Sequence, residues 1–524
     1  MCRASEAAAM QAEVPVSRKV AVIGAGAAGL VAARELQREG HAVQVYENSS
    51  SLGGVWNYQE EVEEDLLGRD PLRRIIHGSL YSSLRTNLPR EIMSYSDFPF
   101  IPEAMHGRST DARRFPHHTE VLAYMEAFAD HFNLRPLVRF STHVVRLDHA
   151  QHGRLQEDRH CCSGSASNEH KKDNVRAKWT VVSRPADSAE KGTADTAEEF
   201  DAVVVAIGNY HEPNLPDIAG MDDFPGRQLH CHNFRHNEPF RDERVLVVGA
   251  SYSGIELAGQ VADAAGQVYH SARTWSEAEI SKRMRPNLER MPMLTQLHAD
   301  GSASFSDGRS VDKIDSVIYC TGYKYKYRLL EHLNLIRTED QHVHPLYRHV
   351  FVPSAAPTLA FIGLLWKSLR NLQFETQAKW VAQVLSGRAK LPDEATMIKE
   401  MEAFYDLRAS HGVPKRYMHC QSSGMPVTQW EYNNLLRLDC NPLGPPAEEW
   451  RRELHDRSAG MILKEPDTFR DHARPEIQQL FDRARAGCLG VWHDISNASS
   501  HNINHDLPTD TAAKANWHSD CLSH

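Results

Sequence analysis

Gly24-Ala25-Gly26-Ala27-Ala28-Gly29 decides the fold of this chain. The segment before it, Lys19 to Ile23, is a short apolar run that reads as a buried strand. The segment after it, Ala27 to Glu39, reads as a helix, and His41 to Tyr46 as a second strand. Strand, tight turn, helix and strand open a doubly wound parallel sheet. Each glycine has its own reason. Gly24 makes the tight turn, Gly26 lets the backbone approach a pyrophosphate, and Gly29 lets the helix pack closely on the strand. The helix N-terminus adds free N–H groups and the positive end of its dipole. Glu47 ends the second strand, where its carboxylate can accept hydrogen bonds from ribose hydroxyls. A glycine-rich turn alone is common in α/β proteins. Strand, helix and acid together turn it into a dinucleotide site.

The loop beyond the second strand points to FAD. Ser51-Leu52-Gly53-Gly54-Val55-Trp56 comes soon after Glu47. Gly54 lets a second loop approach the same ligand, and Trp56 supplies an aromatic surface. The Gly-Gly-x-Trp pattern is familiar at this place in FAD domains, although alone it would be a turn with a core tryptophan.

The strand-turn-helix pattern then returns. Arg244 to Val248 reads as a strand, Gly249 to Gly254 as a turn, Ile255 to Ala264 as a helix and Gln267 to Ser271 as a strand. The turn is Gly249-Ala250-Ser251-Tyr252-Ser253-Gly254. Serine replaces the middle glycine, and the hydroxyls of Ser251 and Ser253 can donate to phosphate oxygens. No acid ends its second strand; Ser271-Ala272-Arg273 stands there. A carboxylate would repel a 2′-phosphate, whereas the fork of Arg273 would pair with it. The second unit therefore reads as an NADPH site rather than an NADH site, against the alternative that Arg273 is a solvated surface arginine.

The bulk properties narrow the function. A chain of 524 residues is too long for one compact core and implies two or three domains. The net charge of -10 argues against nucleic acid or an anionic membrane as the main partner. The nine cysteines are dispersed, only Cys161 and Cys162 are close, and no Cys-x-x-Cys occurs. That pattern encodes neither a zinc ribbon nor a thioredoxin-like pair, and it fits a reducing compartment. With no secretory signal and no apolar run long enough to span a bilayer, the expectation is a soluble cytoplasmic protein without an integral membrane anchor. Residues 1–17 are expected to be a disordered lead-in and the tail from about Ser500 to be loose. His149 to Lys178 and Pro185 to Glu199 are polar and are read as two insertions flanking the strand Trp179 to Ser183. No histidine or cysteine spacing demands a metal.

Further segments carry a family resemblance. Phe224-Pro225-Gly226-Arg227-Gln228-Leu229-His230-Cys231-His232-Asn233-Phe234 lies just before the second unit. It resembles the identifying sequence of flavin-containing monooxygenases, Phe-x-Gly-x-x-x-His-x-x-x-(Tyr/Phe). The related Baeyer–Villiger enzymes carry Trp where this chain has Phe234. Tyr81-Ser82-Ser83-Leu84-Arg85-Thr86-Asn87-Leu88-Pro89-Arg90-Glu91 looks especially like the plant S-oxygenating branch. Asp97-Phe98-Pro99-Phe100, Ile362-Gly363-Leu364-Leu365-Trp366-Lys367 and Gln377-Ala378-Lys379-Trp380 are also similar. Cys320-Thr321-Gly322-Tyr323 is similar to the family's Ala-Thr-Gly-Tyr element, with Cys320 in place of alanine.

The resemblance implies an α/β fold with two Rossmann-like domains. A discontinuous FAD domain (residues 18–212 and 325–500) would hold an inserted NADPH domain (residues 213–324), with a flexible tail at 501–524. It implies an NADPH- and oxygen-dependent monooxygenase that forms a C4a-hydroperoxyflavin. This would oxygenate a soft nucleophile, an amine nitrogen or a thioether sulfur, of a small molecule. The flavin carries the hard chemistry, so no triad or metal is needed. Asn87 matches the family's active-site asparagine and would orient the oxidant or substrate; the alternative is a turn asparagine before Leu88-Pro89. Gln377 resembles a residue near the flavin ring. His230 is read as structural. Baeyer–Villiger or decarboxylative oxygenation of a carbonyl compound stays open as an alternative, as does an NADPH oxidase or flavin reductase. So does assembly as a homodimer.

Overall fold

The strand that begins at Lys19 is covered on both faces. In β1 (Lys19–Ile23), Val20 and Val22 join one buried apolar cluster, and Ala21 and Ile23 join another. Strand side chains alternate faces, so a continuous apolar run requires cover on both sides. The chain continues through α1 (Ala27–Arg38), β2 (Ala42–Tyr46), α2 (His118–His131), β3 (Val138–Arg139), β4 (Thr142–His149), β5 (Trp179–Pro185), β6 (Thr196–Phe200) and β7 (Ala202–Val205). With β18 (Leu359–Phe361), the first sheet has the order β18-β7-β1-β2-β3, all parallel. Leu30, Val31 and Leu36 of α1 cover one face, together with Trp380, Val381 and Leu385 of α5 (Arg370–Ser386). The antiparallel layer β4-β5-β6 covers the other through Leu147, Trp179, Val181 and Phe200. The structure, a computed structural model, describes residues 15–150, 178–186, 194–282, 284–422, 424–441, 448–465, 467–471 and 475–499.

The second unit repeats this plan. It comprises β8 (Arg227–His230), β9 (Arg244–Val248), α3 (Tyr252–Ala262), β10 (Gln267–Ser271), α4 (Glu277–Ser281), β11 (Leu288–Met291), β12 (Leu294–Leu297), β13 (Ala303–Phe305), β14 (Ser310–Val311) and β15 (Ser316–Tyr319). Its parallel sheet has the order β11-β10-β9-β15-β8. Val245 and Val247 pack on Leu257, Ala258 and Val261 of α3, while Leu246 and Val248 pack on the antiparallel layer β12-β13-β14. The short ribbon β16 (Arg337–Glu339) and β17 (His342–His344) precedes β18.

Because β18 rejoins the first sheet after β15 has closed the second, the fold is the expected one: two dinucleotide-type sheets, one inserted into the other. The two connections run side by side, with Pro213 bridging Tyr323 and the Asn214 N–H donating to the Gly322 carbonyl at 3.0 Å. After α5 the chain continues through α6 (Glu394–Ser410), α7 (Gln429–Asp439), α8 (Glu449–Lys464) and α9 (Pro475–Ser499). Leu454, Leu480 and Phe481 from the last two pack on Ile92 and Phe115, behind the loop that carries Asn87.

Three expectations change. The helix of the second unit begins at Tyr252, not Ile255, so Ser253 and Gly254 lie in its first turn. The second expected insertion ends early, because Thr196–Phe200 is the edge strand β6. Within the expected lead-in, the Val16 N–H donates to the Ser386 carbonyl at 3.0 Å, which ties residues 15–17 to α5. Residues 1–14, 151–177, 187–193 and 501–524, which include the rest of the expected lead-in, insertions and tail, lie outside the described residues. Among the described residues, no helix is long and apolar enough to cross a membrane.

Candidate active site

The carboxyl ends of both parallel sheets open into one cleft of about 2710 Å³. Gly24, Glu47, Ile207 and Gly363 line it from the first sheet; Gly249, Ser271, Arg273, Cys231 and Cys320 line it from the second. Ligands of open α/β sheets bind at such carboxyl ends.

The first turn is built by steric necessity. Gly24 has φ +105°, and a Cβ there would lie 2.6 Å from the Ala206 carbonyl oxygen. A Cβ on Gly29 would lie 1.8 Å from the Gly24 carbonyl oxygen, which no adjustment of a side chain relieves. Gly26 differs. Its backbone is extended (φ −76°, ψ −175°), and a Cβ there would meet only Gly54 Cα, at 3.5 Å. The protein itself therefore does not require glycine at 26; a Cβ would fill the cradle between two backbones. Gly54 (φ +54°) closes that cradle, because its own Cβ would lie 2.9 Å from Gly26 Cα. The Gly53 N–H donates to the Ala25 carbonyl at 3.0 Å and fixes the loop. No acid sits in the first turn of α1 itself, whose N-terminus opens on the cleft. Trp56 is half-buried on the same wall.

Glu47 is buried, and protein already holds most of its carboxylate. Oε2 accepts from the Ala25 N–H at 2.7 Å, and Oε1 from the Ser49 N–H and hydroxyl, both at 2.8 Å. A carboxylate has about four acceptor positions, so about one is left for a ligand hydroxyl. Glu47 thus shapes the turn as well as facing the cleft.

The second turn repeats the outer glycines. Gly249 has φ +116°, and a Cβ would lie 2.4 Å from the Cys320 carbonyl oxygen. On Gly254 it would lie 1.8 Å from the Gly249 carbonyl oxygen. His270 Nε2 donates to that carbonyl at 2.7 Å, and burial pushes its imidazole down to about 4, so it is neutral at pH 7. Ser251 and Ser253 are exposed, and neither hydroxyl bonds to a described protein group. Arg273 is exposed on the cleft wall with no carboxylate partner among the described residues. Most of the described arginines pair with a carboxylate, so a free guanidinium here is available to a bound anion.

Asn87 lies half-buried on the wall, and its amide has no partner among the described residues. Its loop is held from outside. Arg470 donates from Nε to the Thr86 carbonyl at 2.9 Å and from Nη2 to the Arg85 carbonyl at 3.2 Å. The same guanidinium pairs with Glu256 of α3 at 2.6 Å, which couples Asn87's loop to the second sheet's helix. Sequence reasoning missed Arg470 because it lies beyond the stretch carrying the resemblance. It also missed Asn209, whose buried Oδ1 has no partner among the described residues on the cleft wall, and Tyr210, Tyr252 and Tyr417, which line the cleft with Trp366.

Two expected site residues sit differently. Gln377 is fully buried and does not line the cleft; its Oε1 accepts from the Gly363 N–H at 3.3 Å and its Nε2 donates to Tyr432 at 2.8 Å. It braces the Gly363 turn from behind instead of touching a ligand. Ser271 is also fully buried; its hydroxyl donates to the Pro292 carbonyl at 2.6 Å and accepts from the Leu294 N–H at 2.9 Å. Its hydrogen bonds are spent on the β10–β12 link.

The chain matches the flavin-binding monooxygenase-like family over residues 17–287 and 281–429. It is 43% identical to flavin-containing monooxygenase FMO GS-OX-like 2 of Arabidopsis thaliana, over 87% of this chain and 91% of that one. It is 42% identical to flavin-containing monooxygenase FMO GS-OX5 of the same plant, over the same shares. Its fold is similar to the solved S-allyl-L-cysteine S-oxygenase of Allium sativum, with a TM-score of 0.80 and 38% identity over 91% of this chain and 100% of that one.

Proposed function

This chain belongs to the flavin-binding monooxygenase-like family and is an FAD- and NADPH-dependent monooxygenase, and from that premise we propose that it oxygenates the sulfur of a small thioether. The observation that carries the reading is the single cleft into which both dinucleotide turns and Asn87's unpartnered amide open. The relatives' names favour sulfur over nitrogen: one solved neighbour is an S-oxygenase acting on S-allyl-L-cysteine. The aromatic rings that line the cleft, Tyr210, Tyr252 and the contacting pair Trp366 and Tyr417, suit the same choice, because thioether sulfur packs well against aromatic rings.

The residues divide the work. Gly24, Gly26, Gly29, Glu47, Gly54 and Trp56 would hold FAD, with Gly26 and Gly54 admitting the pyrophosphate to the backbone. Gly249, Ser251, Ser253, Gly254 and Arg273 would hold NADPH, with the guanidinium on the 2′-phosphate. FAD, when bound, would supply the redox chemistry that passes one oxygen atom of dioxygen to the sulfur at the expense of NADPH. Asn87 donates a hydrogen bond that orients the reacting groups. Gln377 and Arg470 position the walls without touching the ligands. His211, pushed down to about 3 by burial, stays neutral on the wall and adds no charge that would attract water. The aromatic side chains exclude water and limit wasteful release of peroxide. The proposed setting is the cytoplasm, consistent with five described cysteines that are all free thiols.

The test is product analysis with the holoenzyme, NADPH, oxygen and an S-alkyl cysteine. Sulfoxide formed in step with NADPH consumption supports the reading. An ester from a ketone probe, or peroxide alone with every thioether, sinks it.

A further inference from the structure

Two cysteines far apart in sequence are neighbours at the end of the second sheet. β8 and β15 pair in parallel, with His230 opposite Tyr319. A cysteine follows each strand, Cys320 after β15 and Cys231 at the 3-10 turn that ends β8. Both join Leu229 and Ile318 in one buried cluster, which puts both side chains on one face, with neighbouring strands about 4.7–4.9 Å apart. A disulfide spans Cα separations of roughly 4.4–6.8 Å, so rotation of the side chains alone can join them. Both are free thiols of one apolar cluster, 7% and 5% exposed, and both line the cleft.

Their chemistry is unequal. His230 Nδ1 lies 3.9 Å from Cys231 Sγ, and His230 is fully buried with no partner for its Nε2. The neighbouring Cys320 thiol, with His230 and His232, holds Cys231 well below the ordinary thiol value. The same contact, together with burial, pushes Cys320 up. One thiol is thus suited to attack and the other to resolve. Cys320 also forms the floor of the Gly249 turn: its N–H donates to the Val248 carbonyl at 2.8 Å, and its own carbonyl is what a Cβ on Gly249 would strike. Cys320 stands where the family's element carries alanine, so the pair does not come with the family motif.

We propose that Cys231 and Cys320 form an oxidisable dithiol that hydrogen peroxide converts to a disulfide, disabling the Gly249 turn. The Cys231 thiolate attacks one peroxide oxygen, the O–O bond breaks, and water leaves with a proton taken from solvent. Cys231 is then a sulfenic acid. The Cys320 sulfur attacks the Cys231 sulfur, the S–O bond breaks, and a second water leaves. Two thiols have lost two electrons and peroxide has gained them. Peroxide is what a flavin monooxygenase releases when substrate is absent, so the pair would slow NADPH use by an idle enzyme. This consequence rests on the assignment of the Gly249 turn to NADPH; the cross-link itself does not.

The experiment treats the holoenzyme with hydrogen peroxide, alkylates free thiols and maps tryptic peptides. The expected product is a cross-link between the peptides 228–235 and 314–324, reversed by a thiol reductant. The KM for NADPH should rise about tenfold, the loss of about 1.4 kcal/mol of binding, and recover on reduction. In Cys320→Ala, Cys231 should stop at the sulfenic acid and be captured by a dimedone probe. Both peptides recovered as alkylated thiols, or oxidised separately without a cross-link, would overturn the proposal. A complete cross-link with unchanged NADPH kinetics would overturn its effect on the turn while leaving the S-oxygenation reading untouched.

Discussion

Replacing Gly26 with alanine separates a glycine that the fold needs from one that a ligand needs. The backbone at 26 is one any residue adopts, and the new Cβ would meet Gly54 Cα at an ordinary 3.5 Å. Alanine is a poorer N-cap than glycine by about 0.5–1 kcal/mol. It also restricts the unfolded chain, which returns about 0.4–1 kcal/mol. The apoprotein should therefore keep its stability. FAD binding should not survive as well. The methyl group occupies the gap where backbone and pyrophosphate meet, and each charge-assisted hydrogen bond lost there costs about 1.5–3 kcal/mol. That weakens binding about 10- to 150-fold. Gly29→Ala is the contrast, because its Cβ would lie 1.8 Å from the Gly24 carbonyl oxygen and should break the turn itself. The assay titrates folded apoprotein with FAD by flavin fluorescence and records its melting temperature alongside. A Gly26→Ala protein that binds FAD at full strength would refute the assignment of this cradle. One that no longer folds would refute the steric reasoning.

Other expectations arise from the same geometry. Arg273→Ala should raise the KM for NADPH about tenfold or more, the worth of a charge-assisted pair, and leave NADH nearly unchanged. Equal changes for both would mean that Arg273 does not read the 2′-phosphate. Asn87→Ala should keep both cofactors yet lower sulfoxide formation about a hundredfold, as losing one aimed donor does, with NADPH still consumed; undiminished sulfoxide would remove Asn87 from the active site. Glu375 pairs with Arg34 at 3.0 Å and with Lys379 at 2.9 Å inside the core. Burial alone would raise its carboxyl, but Lys379 and Arg34 outweigh burial and hold it well below the usual range. Glu375→Gln removes one of the three carboxylates around Arg34, leaving Glu35 and Asp97, and should cost about 1–3 kcal/mol at neutral pH. The wild type loses this contribution as pH falls from about 4.3, the unfolded glutamate value, through the lower folded one. The gap between the two proteins should therefore be full at pH 7 and narrow in acid; a gap independent of pH would contradict the charge pairing.

Much of this was legible in the sequence, for reasons specific to particular residues. Gly24 and Gly249 stand at positive φ against a carbonyl, and Gly29 and Gly254 let a helix touch a turn, so no other residue type serves. The apolar runs of β1 and β9 announced sheets covered on both faces. β6 was hidden because Thr196–Phe200 is an edge strand whose side chains are mostly exposed, so it carries no alternation and reads as loop. The start of α3 was misplaced because serine in the middle of its turn hid the likeness to the first unit, where the helix also begins two residues before the last glycine. Gln377 was expected near the flavin ring, but sequence does not say which side of a helix faces a cleft. Ser271 was placed at the right strand end, yet only the fold shows its hydroxyl spent on Pro292. The pairing of Cys231 with Cys320 comes from strand register, which no local pattern encodes.

The central claim is that one oxygen atom passes from dioxygen to sulfur at the expense of NADPH. Its most direct test supplies the holoenzyme with ¹⁸O₂, NADPH and a thioether and weighs the product. The sulfoxide should carry one heavy oxygen and form in step with NADPH oxidised. Sulfoxide with oxygen from water, or NADPH oxidised to give only peroxide across a panel of thioethers, would contradict it.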